Sequence, residues 1–262
     1  MNIERIYQLI VQCKLAVNDA PSLSLLKSHL DEVTQQLGYH YYLFGLSTPK
    51  NMNHSENCIL SNYPIEWRKR YDENHYVNID PIILHCIKNT SPIRWSKLHY
   101  SLNNQEQISL MIEASDYGLK SGFSVPIHGA HGEKGVLSFA SQSALESDEI
   151  IQQMAVATLL AVHLYDMFKQ SVQVSKEKPS PLLSHLKSYD LSEKEKSCLT
   201  WVADGKSSWE IAQILACSER TVNFHLQNAR EKLNTFTRTQ TVSQALLTGQ
   251  ITPRFDDNPK SY

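Results

Sequence analysis

Apolar residues along this chain follow two rhythms, one repeating every three or four positions and one packed into short aromatic and β-branched runs. The helical rhythm predicts helices at about 2–18, at 22–37 closed by Gly38, at 64–75, and at 81–89 with Pro81 in the first turn. The runs YHYYLFGLS (39–47), CILSNY (58–63), PIRW (92–95), SGFSVPIHG (121–129) and GVLSFAS (135–141) predict strands. Turn-rich AHGEK makes the last two a hairpin, and EIIQQMAVATLLAVHLYDMF reads as a long, heavily buried helix. Strands grouped between helices predict an α+β fold: an α-β-α sandwich whose antiparallel sheet can enclose a ligand beneath its covering helices.

The pattern dissolves between Ser171 and Asp190, where Pro179, Pro181 and clustered Ser and Lys discourage regular structure. We therefore expect a domain at 1–172, a linker at 173–190 and a second, all-helical domain at 191–262. In the latter, Ser192 with Glu195 and Ser207 with Glu210 each fit a capping box. Gly205 closes the first helix, Ala216-Cys217 makes a tight turn and Ser218 caps a longer helix. On that longer helix Val222, Leu226, Ala229 and Leu233 point one way, while Arg220, Asn223, Gln227 and Arg230 share the opposite face. Asn and Gln amides suit adenine edges in a DNA major groove, and Arg side chains suit phosphates. Lys206, Lys232 and Arg238 are further phosphate candidates. An amphipathic helix with a merely solvated polar face would show the same spacing.

Composition narrows the picture. The 262 residues carry 25 Lys+Arg against 27 Asp+Glu, so nucleic-acid contact must come from a local surface. Glu4, Arg5 and Lys14 interrupt the N-terminal apolar pattern, which argues against a secretory signal, and the longest apolar run, MAVATLLAV, is too short to span a bilayer. Five scattered cysteines without a C-x-x-C pair argue against disulfides and zinc, and for a reduced, cytoplasmic protein with no metal and no membrane association. No G-x-S-x-G or H-E-x-x-H pattern points to an enzyme; His128 and His131 form H-x-x-H without a third ligand.

One stretch, YPIEWRKRYDENHYVNIDP (63–81), crowds Tyr63, Trp67, Tyr71 and Tyr76 among charges and ends in Asp80-Pro81. Such residues could stack bases, sit at a membrane surface, hold a catalytic carboxylate or line a small-molecule pocket. Aromatics in an α+β core more often pack than bind, and Asp before Pro is a common helix N-cap.

Residues 191–249 closely resemble the LuxR-type helix-turn-helix, matching Glu195, Gly205-Lys206, Glu210-Ile211-Ala212, Ser218, Thr221-Val222, His225 and Lys232-Leu233. The resemblance implies that the helix carrying Thr221 enters the major groove of double-stranded DNA with positions 223 and 227 facing bases. It also implies a final helix at about 239–248 that supplies homodimer contacts, a two-fold symmetric site, and RNA polymerase as a partner in transcription control, whether as an activator or a repressor. The opening stretch resembles the autoinducer-binding class of this family through Tyr63, Trp67, Tyr71, Asp80-Pro81, Trp95 and Gly122; SNYPIEWRKRY is similar to the Las and Qsc subgroup.

That class answers to N-acyl-homoserine lactones, which makes the implied ligand a signal and not a cofactor. Trp67, a donor only, suits the lactone carbonyl, Tyr63 the amide carbonyl, and Asp80 the amide N–H. Ser138 matches a position that adds a hydroxyl to the amide carbonyl. Tyr71 and Trp95 are expected to act by packing, and Arg68 to reach a tail substituent through water or to lie on the surface. Ile82 departs from subgroup members that carry a hydroxyl there. Asp80, enclosed without a donor, is expected to leave the core incomplete until the ligand supplies one. The alternative is a LuxR-type regulator answering a different small molecule or signals made by other cells.

Overall fold

The computed structural model describes residues 23–51, 54–96, 104–143, 150–174 and 191–252, together with residue 8. The helix expected at 2–18 and the linker at 173–190 lie essentially outside the described residues. Two compact units divide the chain, the second holding the helices beyond Lys187.

In the first unit, α1 (Leu23–Gln36) turns on Gly38, whose φ of +77° suits a residue without Cβ, into β1 (Tyr41–Asn51) and β2 (His54–Ser61). Then follow α2 (Ile65–Glu73), a 3₁₀ turn at Tyr76–Asn78, α3 (Pro81–Lys88) and the two-residue strand β3 (Ile93–Arg94). The unit ends with α4 (Gln105–Asp116), β4 (Ser121–His128), β5 (Lys134–Ser141) and α5 (Ile150–Val174). The sheet runs β2-β1-β5-β4-β3. Its β1–β5, β4–β5 and β3–β4 pairs are antiparallel, with Ser124 opposite Ser138 and Ile93 opposite Ser124.

Because successive strand residues point to opposite faces, the sheet sorts its side chains cleanly. Tyr42, Phe44, Phe123, Val125, Leu137 and Phe139 pack with Leu26, Leu30 and Val33 of α1 and with Leu160 and Leu164 of α5. Val136 and Ala140 face the other way, onto Trp67 and Tyr71 of α2, Ile82 and Cys86 of α3, Trp95, and Leu110 and Met111 of α4. This is the expected α-β-α sandwich.

Two elements differ from expectation. No helix is predicted at α4, whose first turn is polar (Gln105, Glu106, Gln107); it is set by Asn104, which caps the Glu106 N–H at 2.8 Å, and by burial of Leu110, Met111 and Ala114. The segment Ile150–Gln170 of α5 is long and apolar enough to cross a membrane, with a mean hydropathy of 1.2, although its longest unbroken apolar run is short. Its fully buried Ala157, Leu160 and Leu164 lie in the core against the sheet.

The second unit comprises α6 (Glu193–Ala203), α7 (Ser208–Ile214), α8 (Glu219–Lys232) and α9 (Arg238–Leu247). Both capping boxes form: the Ser192 N–H donates to Glu195 at 2.7 Å and the Ser207 N–H to Glu210 at 2.8 Å. Leu199, Ile211, Val222, Ala229 and Ala245 close the core.

Candidate functional site

The 63–81 stretch folds so that its aromatic and acidic side chains meet on the even-numbered face of β4 and β5. In α2, Trp67 and Tyr71 are one helical turn apart and both point inward. The chain then reverses through His75, held in the left-handed region at φ +53°, which brings Asp80 back beside Tyr71. Arg70 and Tyr76 both bond the Glu113 carboxylate, at 2.5 and 2.6 Å, and fasten α2 and this turn to α4. These bonds, with the Tyr76 hydroxyl foremost, hold Glu113 below the ordinary carboxylate range.

Asp80 is 7% exposed and has two duties. Its Oδ1 caps α3, accepting from the N–H groups of Ile82 at 2.8 Å and Ile83 at 3.4 Å, while Oδ2 accepts the Tyr71 hydroxyl at 2.8 Å. This corrects two expectations. Asp80 does have donors within the protein, and Tyr71 contributes a hydrogen bond as well as packing. Burial still dominates and pushes the Asp80 carboxyl above its ordinary value, against the pull of Tyr71 and the two backbone donors. Burial and the nearby Asp80 push the Tyr71 phenol up in turn.

Trp67, almost fully buried, packs against Tyr71, Tyr76 and Tyr117 with ring centroids 5.4–6.0 Å apart. Its indole N–H has no hydrogen-bond partner among the described residues. Tyr63 sits at the edge of the Tyr41 ring. Its phenol is raised chiefly by burial and then by Asp80, with the nearby Ser138 hydroxyl acting the other way. Ile82 is buried in the same cluster. Arg68 lies at the rim, its guanidinium 3.0 Å from Asp72 and 5.2 Å above the Tyr71 ring centre.

Trp95 is likewise buried, and its indole N–H donates to Ser124 Oγ at 2.9 Å. Ser124 Oγ lies 2.7 Å from Ser138 Oγ. Gly122 makes this possible: a Cβ there would sit 3.1 Å from the Trp95 ring and collide with the Phe139 carbonyl. Ser124 is missing from the residues expected from sequence. Its signal was its place opposite Ser138 in an otherwise apolar hairpin.

In the second unit, α8 presents Ser218, Arg220, Thr221, Asn223 and Gln227 on its exposed side. Ser218 caps the helix through the Thr221 N–H at 3.1 Å. The two amides are engaged by protein neighbours: Asn223 Oδ1 accepts from Ser208 at 2.8 Å, and Gln227 donates to Glu231 at 2.8 Å. Two cationic candidates have structural duties. Lys232 donates to the buried Glu195 at 2.8 Å, and Arg238 ties the start of α9 to the Lys206 carbonyl and the Ser208 hydroxyl. Arg230 is half-buried, with its Nε out of contact with water. Burial alone would raise Glu195, yet bonds from Lys232 and Ser192 outweigh it and hold the carboxyl low. Lys206 is half-buried and near Glu210. Phe224, 59% exposed beside Asn223, was not expected on this face.

The comparisons with known proteins agree with this division. The autoinducer binding domain family matches residues 23–168, and the family of bacterial regulatory proteins of luxR type matches residues 189–245. The chain is 38% identical to the transcriptional activator protein LuxR of Aliivibrio fischeri, covering 85% of this chain and 86% of that protein. It is also 38% identical to the transcriptional activator protein VanR of Vibrio anguillarum, covering 87% and 91%. Among solved structures it is similar to Escherichia coli SdiA, with a TM-score of 0.71 at 26% identity over 94% of this chain and 99% of that one. With an autoinducer-binding sandwich ahead of a helix-turn-helix unit, this chain belongs to the LuxR family of quorum-sensing transcriptional regulators.

Proposed function

We propose that the protein binds an N-acyl-homoserine lactone on the sheet face formed by the even-numbered residues of β4 and β5 and, as a homodimer, controls transcription from a two-fold symmetric DNA site. One observation supports this reading above the rest. Donors and acceptors of the right kind gather among aromatic rings: Trp67, Ser138 and Asp80 are buried, and Tyr63 is partly buried beside them. Such a ligand offers one amide N–H, two carbonyls and an apolar tail. Asp80 accepts the amide N–H, Tyr63 and Ser138 donate to the amide carbonyl, and Trp67 donates to the lactone carbonyl. A carboxylate has about four lone-pair sites, so Asp80 keeps room for a ligand donor beside Tyr71 and its capping bonds. Ile82, Trp95 and Tyr71 wall the site, and Arg68 stands at its rim.

On α8, Arg220, Thr221, Asn223 and Gln227 meet DNA, joined by Phe224, whose exposed ring suits a thymine methyl group. Lys206 contributes to phosphate contact at the start of α7. Work in the cytoplasm alongside RNA polymerase, with no catalytic step, completes the reading. Binding stabilises the folded dimer by mass action. The test is mass spectrometry of the molecule that copurifies from cells supplied with mixed lactones. A bound acyl-homoserine lactone is the expected result, and a different small molecule would redirect the reading to a regulator of another signal.

A further inference from the structure

Ser124 lies between two groups of the site. It is fully buried, faces Ser138 directly across the β4–β5 ladder, and takes the Trp95 indole N–H at 2.9 Å. An indole nitrogen only donates, so one Ser124 lone pair is committed to Trp95. The 2.7 Å bond between the two serine oxygens then has two possible directions. If Ser138 donated, the Ser124 proton would be buried without an acceptor among the described residues, which is unfavourable. If Ser124 donates, each proton is used in turn: Trp95 to Ser124, Ser124 to Ser138. The Ser138 proton is then directed into the site.

We propose that Ser124 is a positioning residue that fixes Ser138 as a hydrogen-bond donor, so that the site selects ligands presenting a carbonyl oxygen at that point. The relay rests on the lactone reading for the identity of that carbonyl. It does not rest on it for its direction, which follows from Trp95.

A double-mutant cycle on the full chain tests it, with N-octanoyl-homoserine lactone as the probe and octanoyl-rac-glycerol, an ester with the same chain, as the second. Ser124→Ala and Ser138→Ala each weaken binding by about tenfold, and the double variant is no weaker than either single one. Ser124→Thr, which keeps the hydroxyl, restores affinity to within about threefold of the parent, given the extra methyl to accommodate. Thermal melting of each variant without ligand separates misfolding from lost recognition. Parent-like binding by Ser124→Ala, or losses that multiply in the double variant, overturns the relay. Binding of the ester but not the lactone overturns the lactone reading alone, and the same cycle on the ester then decides the relay. Binding of neither probe by the parent overturns both.

Discussion

The two faces of one sheet teach different lessons about how this chain uses its residues. On the odd-numbered face of β4, Phe123, Val125 and Ile127 meet α1 and α5 in a core built almost wholly from aliphatic and aromatic side chains. Two residues of sequence shift the chemistry entirely on the opposite face. There Gly122 and Ser124 meet Trp95, Ser138 and, beyond them, Tyr63 and Asp80. The first face maximises burial. The second holds a carboxylate, hydroxyls and an indole N–H away from water, an arrangement that contributes little to stability and makes sense as recognition.

Breaking the first face should have the largest effect. Phe139→Ala, at a fully buried position, removes about 3–5 kcal/mol of stability in chemical denaturation whether or not a lactone is present. On the second face the loss falls on binding. Asp80→Asn keeps a side chain able to cap α3 but replaces the anionic acceptor, and weakens lactone binding by about 2 kcal/mol, roughly 30-fold by calorimetry.

The same carboxyl sets a pH dependence. Its raised value means that the folded chain holds the proton to higher pH than the unfolded one. That contribution to stability is present in acid and is lost as pH rises through the raised value. A ligand N–H favours the ionised form, so lactone affinity climbs over the same window as pH increases and declines on acidification. Titrations across that window should show this slope in the parent protein and a flat profile in Asp80→Asn.

Gln227→Ala sharpens the contrast between units: it lowers discrimination at one base pair by about 1 kcal/mol in DNA-binding assays and leaves lactone affinity unchanged. Arg68→Ala has the smallest effect. Its partner Asp72 is largely exposed, so stability falls by less than about 1 kcal/mol, and any larger loss in affinity for a 3-substituted lactone would assign Arg68 to the tail.

Much of the fold was legible because local signals and burial agreed. The hydroxyl and carboxylate pairs at Ser192/Glu195 and Ser207/Glu210 announced helix starts, and Gly38 and Gly205 announced ends. Helix α4 was not legible, since its polar first turn hides an inward stripe that only the tertiary core reveals. In the site, the aromatic and acidic residues stood out through resemblance. What was lost were pairings between distant positions: Tyr71 with Asp80, Ser124 with Trp95, Lys232 with Glu195. A lysine reads the same in sequence whether it meets a phosphate or a buried glutamate. Only the crossing of α8 over α6 decides.

The most direct test of the central claim is the melting temperature of the full chain, with and without long-chain acyl-homoserine lactones, in the parent protein and in Asp80→Asn. Binding on the polar face predicts a clear rise for the parent and a much smaller one for the variant. No rise with any lactone, or equal rises in the two proteins, would contradict it.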